Sequence, residues 1–191
     1  MKKNLLIWGS ALVFVLVAFL VTNNYGKNVT TSSQSEAEQK ITQSSTGNLG
    51  TNTKSDLEKA IDFTLQDLNG NKVSLSDFRG KNVYLNFFTT WCPPCRTEMP
   101  DIEKVYQKYK DKDLVILAVD IGEDKDSVKS FIEENNFSFK VLLDSEQSIA
   151  EKYKITAIPV SVFIDKEGNV IAKKVGAMTE SEMESYINQL Y

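Results

Sequence analysis

Histidine is absent from all 191 residues. That removes the side chain most often used as a general base near neutral pH, and with it the commonest metal ligand. Arginine is nearly absent as well: Arg79 and Arg96 are the only two, and lysine supplies the other basic residues. The formal net charge is −4, so no nucleic-acid partner is expected. Cysteine is equally scarce, with two in the whole chain. A structural zinc site takes about four ligands. With two thiols and no imidazole, the remainder would have to be carboxylates, so no metal is expected.

The two cysteines stand together in Trp91-Cys92-Pro93-Pro94-Cys95, just after the apolar run Val83-Tyr84-Leu85-Asn86-Phe87-Phe88. A strand that ends in small polar residues (Thr89, Thr90) and meets C-x-x-C is the expected entrance to a helix. Pro93 and Pro94 suit a first helical turn, where N–H groups lack partners anyway. Cys92 then lies at the helix N-terminus, where the dipole and free N–H groups favour a thiolate. Cys95 sits one turn inside, within reach of a mixed disulfide formed on Cys92. A bridge between them closes almost no loop and adds little chain-entropy stabilisation, which argues against a purely structural role. Reversible thiol–disulfide exchange is the expected chemistry, with the Cys92–Cys95 disulfide as its own redox group and no further cofactor.

Met1-Lys2-Lys3-Asn4 is a short basic start, and Leu5–Val21 follows without a charge. Its residues at about 1.5 Å each span roughly 25 Å, the short end of a membrane helix. A cleaved signal peptide is the rival, although Leu20–Asn24 offers no clean small-residue cleavage site. Lys2 and Lys3 place the N-terminus in the cytoplasm and the remainder outside, on either reading. Residues 22–55 are rich in Ser, Thr, Gln and Asn, with scarcely an apolar side chain to bury. Such a stretch reads as a disordered tether spanning roughly 30 Å.

The folded domain is expected over residues 56–191. Ile61–Leu65 and Val73–Leu75 alternate around Asn69-Gly70-Asn71, the pattern of a hairpin. After the motif, Cys95, Met99, Ile102, Tyr106 and Tyr109 recur at helical spacing to about Lys110. Pro100 is expected to interrupt and kink that helix. Glu98 shares a face with Met99 and Ile102. Spacing alone leaves it either an exposed glutamate or an inward carboxyl able to shuttle a thiol proton. Leu114–Asp120 reads as a strand covered on both faces, Lys125–Asn135 as a helix and Phe139–Asp144 as a strand. A short helix over Ser148–Lys154, a hairpin of Val160–Asp165 with Val170–Ala172, and a helix over Glu180–Leu190 complete the pattern. The class is α/β, a mixed central sheet with helices on both faces. Pro159 opens a central strand, and its peptide bond is either a cis entry or an ordinary trans one.

Together these stretches resemble the thioredoxin superfamily, and more closely its membrane-anchored extracytoplasmic TlpA/ResA-like branch. The similarity covers about residues 58–191. It is carried by Phe63-Thr64-Leu65, Leu75-Ser76-Asp77-Phe78-Arg79-Gly80-Lys81, Asn86 through Pro100, and Ala157-Ile158-Pro159 with Phe163-Ile164-Asp165. The resemblance implies a thioredoxin-like fold with an inserted helix and strand over Asp120–Asp144. It makes Cys92 the exposed nucleophile, Cys95 the resolving thiol, and Glu98 a buried proton shuttle. Pro159 matches the superfamily's cis-proline, and Ile158 would face the disulfide. Trp91, Pro93, Pro94, Ile158 and Pro159 are then the expected client-binding surface. Asn86 stands where cytosolic thioredoxins carry a buried aspartate, which leaves proton handling to Glu98. A peroxidase would need proline at position 85, and Leu85 is there instead.

The function expected from this resemblance is reduction of disulfides in exported proteins, such as apocytochrome c, envelope enzymes or methionine sulfoxide reductases. Electrons would come through a membrane thiol carrier of the CcdA/DsbD type, and a monomer is expected. A disulfide-forming oxidase is the alternative direction, and a non-catalytic binding domain the alternative of another class.

Overall fold

Strand β3, Asn82–Phe88, is buried at every position, as a strand covered on both faces must be. Its alternating side chains feed two separate cores. Tyr84 and Phe88 join one, and Val83, Leu85 and Phe87 join the other. The computed structural model describes residues 57–191. The basic start at 1–4, the apolar segment at 5–21 and the polar tether at 22–55 lie outside the described residues. Among the described residues no helix is long and apolar enough to cross a membrane.

The elements follow in the order β1 (Thr64–Asp67), β2 (Lys72–Ser74), β3, α1 (Pro93–Tyr109), β4 (Leu114–Ile121), α2 (Lys125–Glu134), β5 (Lys140–Asp144), α3 (Ser148–Lys152), β6 (Val160–Ile164), β7 (Val170–Val175) and α4 (Glu180–Ile187). They build one seven-stranded sheet ordered β2-β1-β5-β4-β3-β6-β7. Strands β3, β4 and β5 are parallel, whereas β1, β6 and β7 run antiparallel to their neighbours. The sheet is therefore mixed. The expected inserted pair is α2 and β5, with β5 placed between β1 and β4.

Helices cover both faces. Met99, Ile102 and Val105 of α1 pack with Val128 and Phe131 of α2 and Met183 and Ile187 of α4 on one side. Ile149 of α3 packs with Phe63, Leu75 and Tyr153 on the other. Each fully buried side chain of this size contributes about 1.5–3 kcal/mol. Met99, Ile102 and Val105 together thus hold α1 firmly against β3 and β4.

One local expectation shifts. The N-terminal hairpin pairs Thr64–Gln66 with Ser74–Lys72, so β1 begins three residues later than the alternation suggested. The reason is Leu75, which turns into a short 3-10 segment, Leu75–Phe78, whose Asp77 carboxylate accepts the Ser74 N–H at 2.8 Å. The helix runs through Pro100 to Tyr109, close to the expected end near Lys110, because its buried face continues through Ile102 and Val105. That packing outweighs the loss of one main-chain bond.

Candidate active site

The carboxyl ends of the parallel strands β3 and β4 meet the N-terminus of α1. In open α/β sheets ligands collect at such strand ends. Thr89, Thr90 and Trp91 make the turn, with the Cys92 N–H donating to the Thr89 carbonyl at 3.3 Å. Cys92 is the N-cap of α1, and its Sγ accepts the Cys95 N–H at 3.3 Å. Pro93 and Pro94 fill the first helical positions, where a missing N–H costs nothing. Sequence spacing placed Cys92, Pro93, Pro94 and Cys95 correctly at this helix head.

Cys92 and Cys95 are joined by a disulfide with Cα atoms 5.3 Å apart. The Ile158–Pro159 peptide is cis, as the resemblance implied and against the trans form that composition favours. The Ile158 carbonyl oxygen lies 4.0 Å from Cys92 Sγ, so Ile158 does face the sulfur. One implied feature is corrected: Cys92 is only 3% exposed. In the disulfide its sulfur is bonded to Cys95 and sits between the helix terminus and the Ile158 carbonyl. Trp91, at 68% exposed, together with the exposed Pro93 and Pro94, is what the site offers to solvent. Beside it lies a cavity of about 480 Å³ whose lining includes Thr89, Trp91, Ala150, Ala157 and Ile158.

Glu98 points inward. It is 1% exposed, on the α1 face that carries Cys95 and Met99. Asn86 Nδ2 donates to Glu98 Oε1 at 2.8 Å and to Ser161 Oγ at 3.2 Å. The Met178 N–H donates to Glu98 Oε2 at 3.0 Å. Burial pushes the Glu98 carboxyl up to about 7, against the lowering influence of the Asn86 and Met178 donors. A group that is half protonated near neutral pH is well matched to accepting and returning a thiol proton. Ser161 also meets the Tyr84 hydroxyl, 3.2 Å away. Burial raises that phenol far above its ordinary range, so it stays neutral.

Several partners escaped sequence reasoning. Met178 is 80 positions from Glu98 along the chain, and nothing local to it signals a role. Ser161 reads as an inward polar residue on β6 only once β3 and β6 are paired, with Asn86 opposite it. Arg96 Nη1 donates to the Thr90 carbonyl at 2.9 Å while its guanidinium covers the Phe131 ring. Glu123 takes the Thr90 N–H and hydroxyl, each at 2.6 Å. Among the described residues no group of three or more His, Cys, Asp or Glu could hold a metal ion.

Comparison with known proteins agrees with this geometry. The profile of the AhpC/TSA family matches residues 57–173. The thiol-disulfide oxidoreductase ResA of Bacillus cereus is 38% identical over 133 residues, covering 70% of this chain and 77% of the relative. Among solved structures, StoA from Bacillus subtilis superposes with a TM-score of 0.60 at 26% identity, covering 66% of this chain and 96% of that one. The pneumococcal exposed lipoprotein thioredoxin Etrx1 from Streptococcus pneumoniae gives 0.61 at 29% identity, covering 68% and 100%.

Proposed function

The chain belongs to the AhpC/TSA family and is a ResA-like thiol-disulfide oxidoreductase, and from that premise we propose that it reduces disulfides in exported proteins outside the cytoplasmic membrane. The observation that carries the reading is the Cys92–Cys95 disulfide at the head of α1 with the Glu98 carboxyl buried behind it.

In the reduced enzyme the helix terminus favours negative charge on Cys92 Sγ. The thiolate attacks a client disulfide, forms a Cys92–client mixed disulfide and releases one client thiolate. Glu98 takes the Cys95 proton. The Cys95 thiolate then attacks Cys92 Sγ, closing the intramolecular disulfide and releasing the second client thiolate. Two electrons pass to the client, and Glu98 returns its proton to the released thiolate. The cysteine pair is the whole redox group. Trp91, Pro93, Pro94 and Ile158 form the client-binding surface, with Pro159 buried beneath it rather than exposed as expected, and the exposed indole and the adjoining cavity support that surface.

Location outside the membrane rests on the uncharged run Leu5–Val21 behind Lys2 and Lys3, with residues 22–55 as the tether. A relative named as an exposed lipoprotein thioredoxin supports the same side. Re-reduction then requires a membrane thiol carrier of the CcdA/DsbD type, and the working unit is a monomer. Alkylation of the full-length protein in intact cells tests the direction. Free Cys92 and Cys95 thiols at steady state, oxidised when the carrier is deleted, are expected. A disulfide at steady state that is indifferent to the carrier would contradict it.

A further inference from the structure

Asp120, the penultimate residue of β4, is 0% exposed and takes no part in the exchange steps at Cys92, Cys95 and Glu98. Its Oδ1 accepts the Glu123 N–H at 3.2 Å. Among the described residues no N–H or O–H donor reaches its Oδ2, which is wholly buried. An orphaned carboxylate oxygen in such a place is costly. The oxygen is satisfied if it carries the proton itself and donates it to the Glu123 carboxylate, with which the Asp120 side chain is in hydrogen-bond contact.

Glu123 is the other half of the arrangement. Its two oxygens accept the N–H and the hydroxyl of Thr90, each at 2.6 Å. From the opposite side Arg96 holds the Thr90 carbonyl at 2.9 Å. Thr90 is therefore gripped at all three of its polar groups. It belongs to the turn from which Cys92 is suspended, through the Cys92 N–H bond to Thr89. We propose that Asp120 and Glu123 are positioning residues for thiol–disulfide exchange: one proton held between their carboxyls keeps Glu123 on Thr90, and so fixes the turn that presents Cys92.

The surroundings decide what happens when that proton leaves. Register neighbours of Asp120 on β3 and β5 are the apolar Phe88 and Leu143. Asp124, at the start of α2, adds a further negative charge, although its carboxylate is engaged by Ser127. On β5, the Asp144 carboxylate is occupied by the N–H groups of Ile149 and Ala150. On α1, Glu98 is held by Asn86 and Met178. Among the described residues Arg96 is the one cation shown bound to this turn, and it holds Thr90 rather than the carboxyls. Burial first, and contact with Glu123 second, raise the Asp120 carboxyl well above its ordinary range. Deprotonation leaves two carboxylates in contact without a balancing charge, so Glu123 is pushed from Asp120 and its grip on Thr90 loosens.

Asp120→Asn tests this, since an amide N–H gives Glu123 a donor that no pH removes. The probe is dithiothreitol reducing the oxidised full-length protein, whose own cysteines do not titrate in that state. Taking the ratio of wild-type to variant rate constants cancels the ionisation of the attacking thiol and any contribution of Glu98. The ratio is expected to fall by about fivefold or more as pH rises from about 6 to about 10, as the wild type alone loses the shared proton. Glu123→Gln, which removes the second charge, is expected to change the ratio in the same direction. A ratio that stays flat with pH for either variant would overturn the proposal, because a purely structural role scales the rate equally at every pH. The proposal rests on exchange at Cys92. A wild-type disulfide that dithiothreitol does not reduce would overturn that reading and this one together, whereas a flat ratio on a reactive disulfide overturns only the positioning role.

Discussion

Asn86 and Glu98 face each other across the junction of β3 and α1, the amide giving its N–H to the carboxyl at 2.8 Å with both side chains buried. In the proposed mechanism this pair manages the proton. A neutral amide beside the carboxyl supplies a donor without a second charge. Glu98 is thus free to gain and lose a proton near neutral pH instead of being pinned ionised by a cation.

A stability consequence follows from the raised Glu98 carboxyl. Its value rises from 4.5 to about 7 on folding, so the folded state keeps the proton after the unfolded state has lost it. The contribution of Glu98 is fully present below about 4.5 and is lost as pH climbs through about 7. Across that window the wild type is expected to lose on the order of 3 kcal/mol relative to Glu98→Gln. Denaturant unfolding of both oxidised proteins at a series of pH values checks the sign and the window.

Removing Asn86 acts on the same group. The Asn86 donor is the main influence lowering Glu98 against burial. Asn86→Ala should therefore move the Glu98 titration further up, and cost about 1–3 kcal/mol for the buried acceptors left without a donor. A carboxyl titration of Glu98 by carbon NMR reads the first effect. A midpoint unchanged from wild type would show that the amide does not control it.

Trp91 separates binding from folding. Its side chain is 68% exposed, so Trp91→Ala should change stability by less than about 0.5 kcal/mol. The same change should raise KM for a protein client by roughly tenfold, as expected for loss of an exposed aromatic anchor. Reduction of a small disulfide, which does not need the indole, should be far less affected.

The two cysteines differ in what their loss does. Cys92→Ser removes the attacking sulfur, and turnover should fall to the uncatalysed background. Cys95→Ser leaves the first step intact and removes the second, so covalent Cys92–client adducts should accumulate. Non-reducing electrophoresis of the full-length variants distinguishes them, and adducts on Cys92→Ser instead would reverse the assignment.

The parts of this site that lie close along the chain were legible in the sequence. Cys92, Pro93, Pro94, Cys95 and Glu98 fall within two helical turns, so spacing alone put them on one helix head, with only the inward turn of Glu98 left open. The cis form of Ile158–Pro159 was legible only through family resemblance, because composition favours trans. Met178, Ser161 and the Asp120–Glu123–Thr90 chain were not legible. Their partners meet only after β3, β4 and β6 are side by side, and a backbone N–H such as that of Met178 leaves no mark on residue identity. Of the fold, the apolar runs at Val83–Phe88 and Leu114–Asp120 announced buried strands. The hairpin start slipped by three residues because Leu75 reads as a strand residue but packs from a 3-10 segment.

The direction of electron flow is the central functional claim, and the reduction potential of the Cys92–Cys95 couple in the full-length protein tests it most directly. A reductase of exported disulfides should have a potential near that of thioredoxin, about −270 mV or lower. A value near that of the strongly oxidising thiol–disulfide enzymes, about −120 mV, would contradict the account and make the protein a disulfide-forming enzyme.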